Sequence, residues 1–97
     1  MPTHDVLPRF WDEYEHLRPA QRQRFVQAVR HMIDDLHARR AFRPGLSVRA
    51  LEGHEGVWEM TWAPDGRATF HYGAPIVEGE AHIVWRRIGG HEIFRQP

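Results

Sequence analysis

Arginines at 49, 67 and 86, a carboxylate at Glu59 and imidazoles at 71, 82 and 91 fill the second half of this 97-residue sequence at spacings that could do chemistry. Arginines around a carboxylate and an imidazole are the components of RNA phosphodiester cleavage. There a base removes the proton from a ribose 2′-OH, guanidinium groups neutralise the pentavalent phosphorane, and an acid protonates the departing 5′-oxygen. Histidine suits the acid role, because its ordinary pKa of about 6.5 lies near neutrality and a neighbouring phosphate raises it. His91 is the first candidate. The run Ile83-Val84-Trp85-Arg86-Arg87-Ile88 reads as a buried strand that empties into Gly89-Gly90 and then His91, Glu92 and Phe94. A side chain just past a rigid strand end and a permissive glycine pair is aimed by the sheet yet still reaches solvent.

Each candidate also has a plainer reading. An arginine such as Arg49 or Arg86 on an exposed strand is commonly solvated surface. Glu59 reads either as the base or as the cross-strand partner of a basic neighbour, His71 in the expected register. His71 with His82 suggests a metal, but two imidazoles without a fixed third ligand make a poor site, so no metal and no cofactor is expected. Trp58, Trp62 and Trp85 read as core, not as a base-stacking platform, since they share one strand face. His91 itself reads equally as a loop residue.

Two helices must precede the strands. Pro8 suits a first helical turn, with Phe10, Tyr14 and Leu17 following at helical steps. Pro19 opens a longer helix whose apolar stripe is Phe25, Val26, Val29, Met32, Ile33 and Leu36, ending before Pro44-Gly45. The two form a hairpin. Beyond Gly45 the period changes from 3.6 to 2, and four antiparallel strands are expected at 46–51, 57–62, 67–72 and 81–88. Ala63-Pro64-Asp65-Gly66 predicts a type I turn closed by a glycine bulge. That register sets Trp58, Met60 and Trp62 opposite Tyr72, Phe70 and Ala68 on a face against the helices. Arg49, Glu59, Thr61, Arg67, Thr69, His71, His82, Val84 and Arg86 then share the other face.

A chain of this length predicts a single domain, residues 1–97, with one core. Zero cysteine excludes disulfides, zinc ribbons and thiol nucleophiles. With no apolar run near 18 residues and no basic-then-apolar leader, a cytoplasmic protein without membrane contact is expected. The 13 basic residues, all arginine, cancel 13 acidic ones, whereas nucleic-acid binders usually carry a basic excess.

The helical hairpin and strands, with Pro44-Gly45-Leu46-Ser47-Val48-Arg49-Ala50-Leu51-Glu52-Gly53, Gly56-Val57-Trp58-Glu59-Met60, Asp65-Gly66-Arg67-Ala68 and Ile88-Gly89-Gly90-His91-Glu92-Ile93-Phe94, resemble the RelE/ParE toxin superfamily over roughly residues 8 to 95. The ending is similar to that of its YafQ-like and HigB-like members. The resemblance implies an α+β fold, a helical hairpin on one face of a four-stranded antiparallel sheet with at most a short edge strand in Thr3 to Leu7. It also implies a type II toxin–antitoxin toxin that cleaves mRNA on the ribosome without metal and is silenced by a cognate antitoxin. Arg67 would contact the scissile phosphate and His91 would be the general acid, with Glu59 assigned as base from its face alone. Arg49, His71, Arg86, Phe94 and Arg95 would touch RNA. Two alternatives remain: a non-enzymatic ParE-like gyrase inhibitor, and a decayed member that persists as an interaction module.

Overall fold

The computed structural model describes all 97 residues, Met1–Pro97. Strand β1 (Thr3–Val6) leads directly into helix α1 (Pro8–Glu15), and Pro19 opens helix α2 (Pro19–His37). Both prolines occupy a helix's first turn, where the missing N–H has no intrahelical partner to lose. The remaining strands are β2 (Arg49–Ala50), β3 (Trp58–Thr61), β4 (Arg67–Gly73) and β5 (His82–Gly89), and 3-10 turns span Pro44–Leu46 and His91–Arg95.

The sheet has five strands in the order β1-β5-β4-β3-β2, not four, and β1 runs parallel to β5. The short edge strand therefore exists, and it makes the sheet mixed. Its sequence hid it because Thr3-His4-Asp5-Val6 has only one apolar residue, and its two middle positions, His4 and Asp5, are exposed. A hydrogen bond links Thr3 Oγ1 and His82 Nδ1 at 2.7 Å, tying this edge to β5. The stretch expected as a strand at 46–51 shrinks to Arg49–Ala50. Pro44 starts a 3-10 turn instead, which drops Leu46 into the core.

One face of the sheet is packed as expected. Met60, Ala68, Phe70, Ile83, Trp85 and Ile88 are buried with Phe10 of α1 and Phe25, Ala28 and Met32 of α2. Phe25 lies edge-on to Trp85 and to Trp62. The buried stripe of α2 is rotated from the apolar one, toward Ala28 and Asp35 and away from exposed Val26. Ala28 has a side chain small enough to sit close to the sheet. Asp35 is buried because Arg43 and Arg40 neutralise it, with Arg43 Nη2 and Arg40 Nε donating to Oδ1 at 2.9 Å each. Trp62 and Trp85 are core, while Trp58 is only half-buried, against Tyr72.

Two register details depart from expectation. Trp58 pairs with Phe70 and Met60 with Ala68, two residues from the predicted partners. A slip of two keeps every side chain on its own face, which is why the faces were legible although the pairing was not. The turn closes through Trp62 N–H to Gly66 O at 3.1 Å, and Gly66 does not take the left-handed conformation of a glycine bulge. It must be glycine for another reason: a Cβ there would lie 2.5 Å from the Trp62 indole. The bulge lies instead between β4 and β5, where Phe70 pairs with Trp85 but Thr69 pairs with Arg87. Arg86 is the extra residue. Without it the alternation would turn Ile88 away from the core, and with it Ile88 packs inside.

Candidate functional site

The face opposite the helices is less open than alternation implies. The 3-10 turn His91–Arg95 packs over β4 and β5, burying Ile93 and leaving Thr69 fully enclosed. Around that cover the expected residues fall into separate groups.

Arg67 is the best-positioned cation. Its Nη1 donates to three carbonyls of the preceding turn, those of Ala63, Pro64 and Gly66, at 3.1, 3.2 and 2.9 Å. Nε and Nη2 have no partner in the protein. A guanidinium gripped by one nitrogen and free along its other edge is oriented to meet two oxygens of a phosphate. Arg67 is also the cross-strand partner of Gly89, the last residue of β5. Gly90 and His91 follow, so the sheet's pairing brings the backbone that leads to His91 beside the strand that carries Arg67.

His91 is exposed, and its ring stands edge-on to Phe94 with centroids 5.8 Å apart. Gly90 N–H donates to Glu92 Oε1 at 2.9 Å, which closes the turn. That bond and its own backbone N–H hold the Glu92 carboxyl below its ordinary value, so a carboxylate stands next to the imidazole. Arg95 is exposed at the end of the same turn.

Glu59 is buried, and its Oε1 accepts from Arg49 Nε at 2.7 Å. The Arg49 side chain remains 72% exposed. Glu59 pairs with Thr69 and Arg49, not with His71 as the expected register had it. His71 belongs to another pair: its Nδ1 lies 3.0 Å from Arg86 Nη1, and Arg86 also donates to the Pro97 carbonyl. Arg86 as a donor leaves His71 Nδ1 the acceptor, which requires a neutral ring. Burial, then Arg86 and His82, push the His71 pKa down.

The expected surface thus resolves into three units: Arg67 with the tail that bears His91 and Phe94, the Arg49–Glu59 pair, and the His71–Arg86 pair. No three His, Asp or Glu side chains converge as metal ligands. The sequence did not point to the Glu13 carboxylate of α1, which accepts from Arg87 at 2.7 Å and fixes the end of β5 to the helix. Its one signal is a carboxylate on the helix that the β1 connection sets over β5. No helix is long and apolar enough to cross a membrane.

No protein-family model matches the sequence, and no curated protein matches it. Solved structures do. A metal-bound toxin from Helicobacter pylori superimposes with a TM-score of 0.64 at 15% identity over 95% of this chain and 97% of its own. A YoeB/ParE toxin from Agrobacterium tumefaciens gives 0.64 at 17% identity over 92% and 98%. The E. coli DinJ–YafQ toxin–antitoxin complex gives 0.61 at 10% identity over 94% and 93%. The two helices and the mixed five-stranded sheet are the fold of these RelE-like toxins.

Proposed function

We infer that this chain is the toxin of a type II toxin–antitoxin pair and cleaves mRNA on the ribosome. The observation that carries this reading is the Arg67 guanidinium, anchored by three carbonyls with one edge free, on a strand paired to the backbone that leads into exposed His91. In the reaction, Arg67 binds the non-bridging oxygens of the scissile phosphate and stabilises the charge that grows there as the 2′-oxygen attacks phosphorus. His91, as imidazolium, gives its proton to the 5′-oxygen as the P–O bond breaks, leaving a 2′,3′-cyclic phosphate. Phe94 holds the imidazole edge-on and has no hydroxyl to donate. Glu59 takes the 2′-OH proton, which requires Arg49 to swing away from it toward a phosphate, and Arg49 is exposed enough to do so. Arg86, His71 and Arg95 are further contacts to the RNA strand.

The toxin–antitoxin complexes among the structural neighbours support a cognate antitoxin as partner. A cytoplasmic location follows from the target. The test is induction in cells followed by primer-extension mapping of mRNA. Cuts at a fixed codon position, lost in His91→Ala and Arg67→Ala at equal expression, are expected. Intact mRNA with broken DNA would replace this reading with gyrase inhibition, and no growth arrest would leave an interaction module.

A further inference from the structure

The glycine pair before His91 is not there for its backbone angles. Neither Gly89 nor Gly90 takes a positive φ, so neither draws on the left-handed freedom of glycine. What both positions lack is room. A Cβ on Gly89 would lie 2.8 Å from Glu92 Oε1, and one on Gly90 would lie 2.6 Å from Glu92 Oε2. The Glu92 carboxylate folds back across both glycines and fills the space that side chains there would need.

That fold-back has a consequence for the residue it encloses. The bond from Gly90 N–H to Glu92 Oε1, 2.9 Å long, closes a ring that runs through the main chain of His91. The ring restricts the His91 backbone angles and so the direction of its Cα–Cβ bond. From the other side Gly90 O accepts from Ile93 N–H at 3.3 Å, and Ile93 is fully buried. Only the two side-chain torsions of His91 remain, and the Phe94 ring stands edge-on to the imidazole at 5.8 Å. Glu92 itself is exposed and takes no part in the core. Its own backbone N–H also donates to the carboxylate, and Arg87 lies near enough to favour the charged form.

We propose that Glu92 is a positioning residue for His91: its carboxylate, seated on Gly89 and Gly90, aims the imidazole from the end of the strand paired with Arg67. The glycines and the carboxylate are then one device, a seat and the group that fills it. An acid must be held in line with the oxygen it protonates, and a small misplacement costs much of its effect. The role in catalysis rests on the reading of His91 as general acid, whereas the seat does not.

The test has two readouts on the full chain. The first is the NMR shift of the His91 imidazole protons, read with the ring fully deprotonated, which the Phe94 ring displaces while the two stay edge-on. Glu92→Ala is expected to move these signals toward those of a solvated histidine. Glu92→Gln, which keeps an oxygen for the Gly90 N–H, is expected to leave them near the wild type. Gly90→Ala evicts the carboxylate and is expected to match Glu92→Ala, and the double variant to go no further than either alone. The second readout is single-turnover cleavage. Glu92→Ala is expected to lower it roughly ten-fold on an ordinary phosphodiester and less than about two-fold on a substrate whose leaving atom is sulfur, because only proton donation is misaimed. Glu92→Gln is expected to stay within about two-fold of the wild type on both. Unchanged imidazole signals in Glu92→Ala, a further change in the double variant, Glu92→Gln as impaired as Glu92→Ala, or equal losses on the two substrates would each overturn the proposal. A wild type that cleaves no RNA would sink the nuclease reading, while the imidazole signals would still decide whether Glu92 holds the ring.

Discussion

Arg67 and Gly89 face each other across β4 and β5, and that single pairing sets the guanidinium strand beside the chain that turns into His91. The two candidate groups are 24 residues apart in sequence but separated by one strand spacing and a short turn in space. Arg67→Lys keeps the charge and loses the fork, so it cannot both hold the turn carbonyls and present a free edge. We expect Arg67→Lys and Arg67→Ala each to lower single-turnover cleavage by roughly 10²-fold or more, the usual loss for one oxyanion contact. Quenched-flow cleavage on programmed ribosomes measures this, and full activity in Arg67→Lys would refute the bidentate role.

The acid role proposed for His91 has its own signature. His91→Ala should slow cleavage of an ordinary phosphodiester, and a substrate whose departing 5′-oxygen is replaced by sulfur, which leaves without a proton, should recover most of the lost rate. A variant that stays equally slow on the sulfur-leaving substrate would assign the loss to something other than proton donation.

Gly66 is expected to be intolerant because of space. Gly66→Ala drives a Cβ into the Trp62 indole, which is itself wedged against Phe25, and should cost about 1–3 kcal/mol. Gly45→Ala meets nothing within 4 Å, has no positive φ, and should be neutral or up to about 1 kcal/mol more stable. Urea denaturation of the two variants separates crowding from glycine content.

Two groups make stability fall on acidification in different ranges. The folded state holds the His71 pKa below its ordinary value, so its contribution is present above about pH 6.5 and is lost as pH falls through the lowered value. Asp35 is held far below the usual carboxylate range, chiefly by the Arg43 side chain and backbone N–H, then by Arg40. Its contribution is present above about pH 4 and disappears only in stronger acid. Melting temperatures of His71→Gln should lose dependence on pH in the neutral-to-mildly-acid range alone, and those of Asp35→Asn in the acid range alone.

Arg49→Ala leaves the Glu59 carboxylate buried without its partner. Because Arg49 is mostly exposed, the expected loss is about 1–2 kcal/mol, and Glu59→Gln in the same background should recover part of it. Additive losses in this double-mutant cycle would show that the pair is not coupled.

Much of this protein is dictated locally. Prolines at 8 and 19 start the helices, the change of period after Gly45 marks the strands, and alternation sorts tryptophans from arginines. Each of these depends on residues within a few positions of one another, which is what a sequence displays directly. The strand at Thr3–Val6 was not legible, because its pairing partner lies nearly 80 residues away and its own composition is polar. Nor was the two-residue slip of register, to which face patterning is blind, or the bulge at Arg86 that returns Ile88 to the core. The candidate site divides along the same line. His91, Arg67, Glu59, Arg49, His71 and Arg86 were recognisable by type and face, but their partners were not. Only the packed tertiary structure decided that Glu59 is sealed under Arg49, that His71 joins Arg86, and that Arg67 is held by its own turn. Those pairings are fixed by long-range strand contacts and by the path of the last turn over the sheet, and no local pattern encodes either.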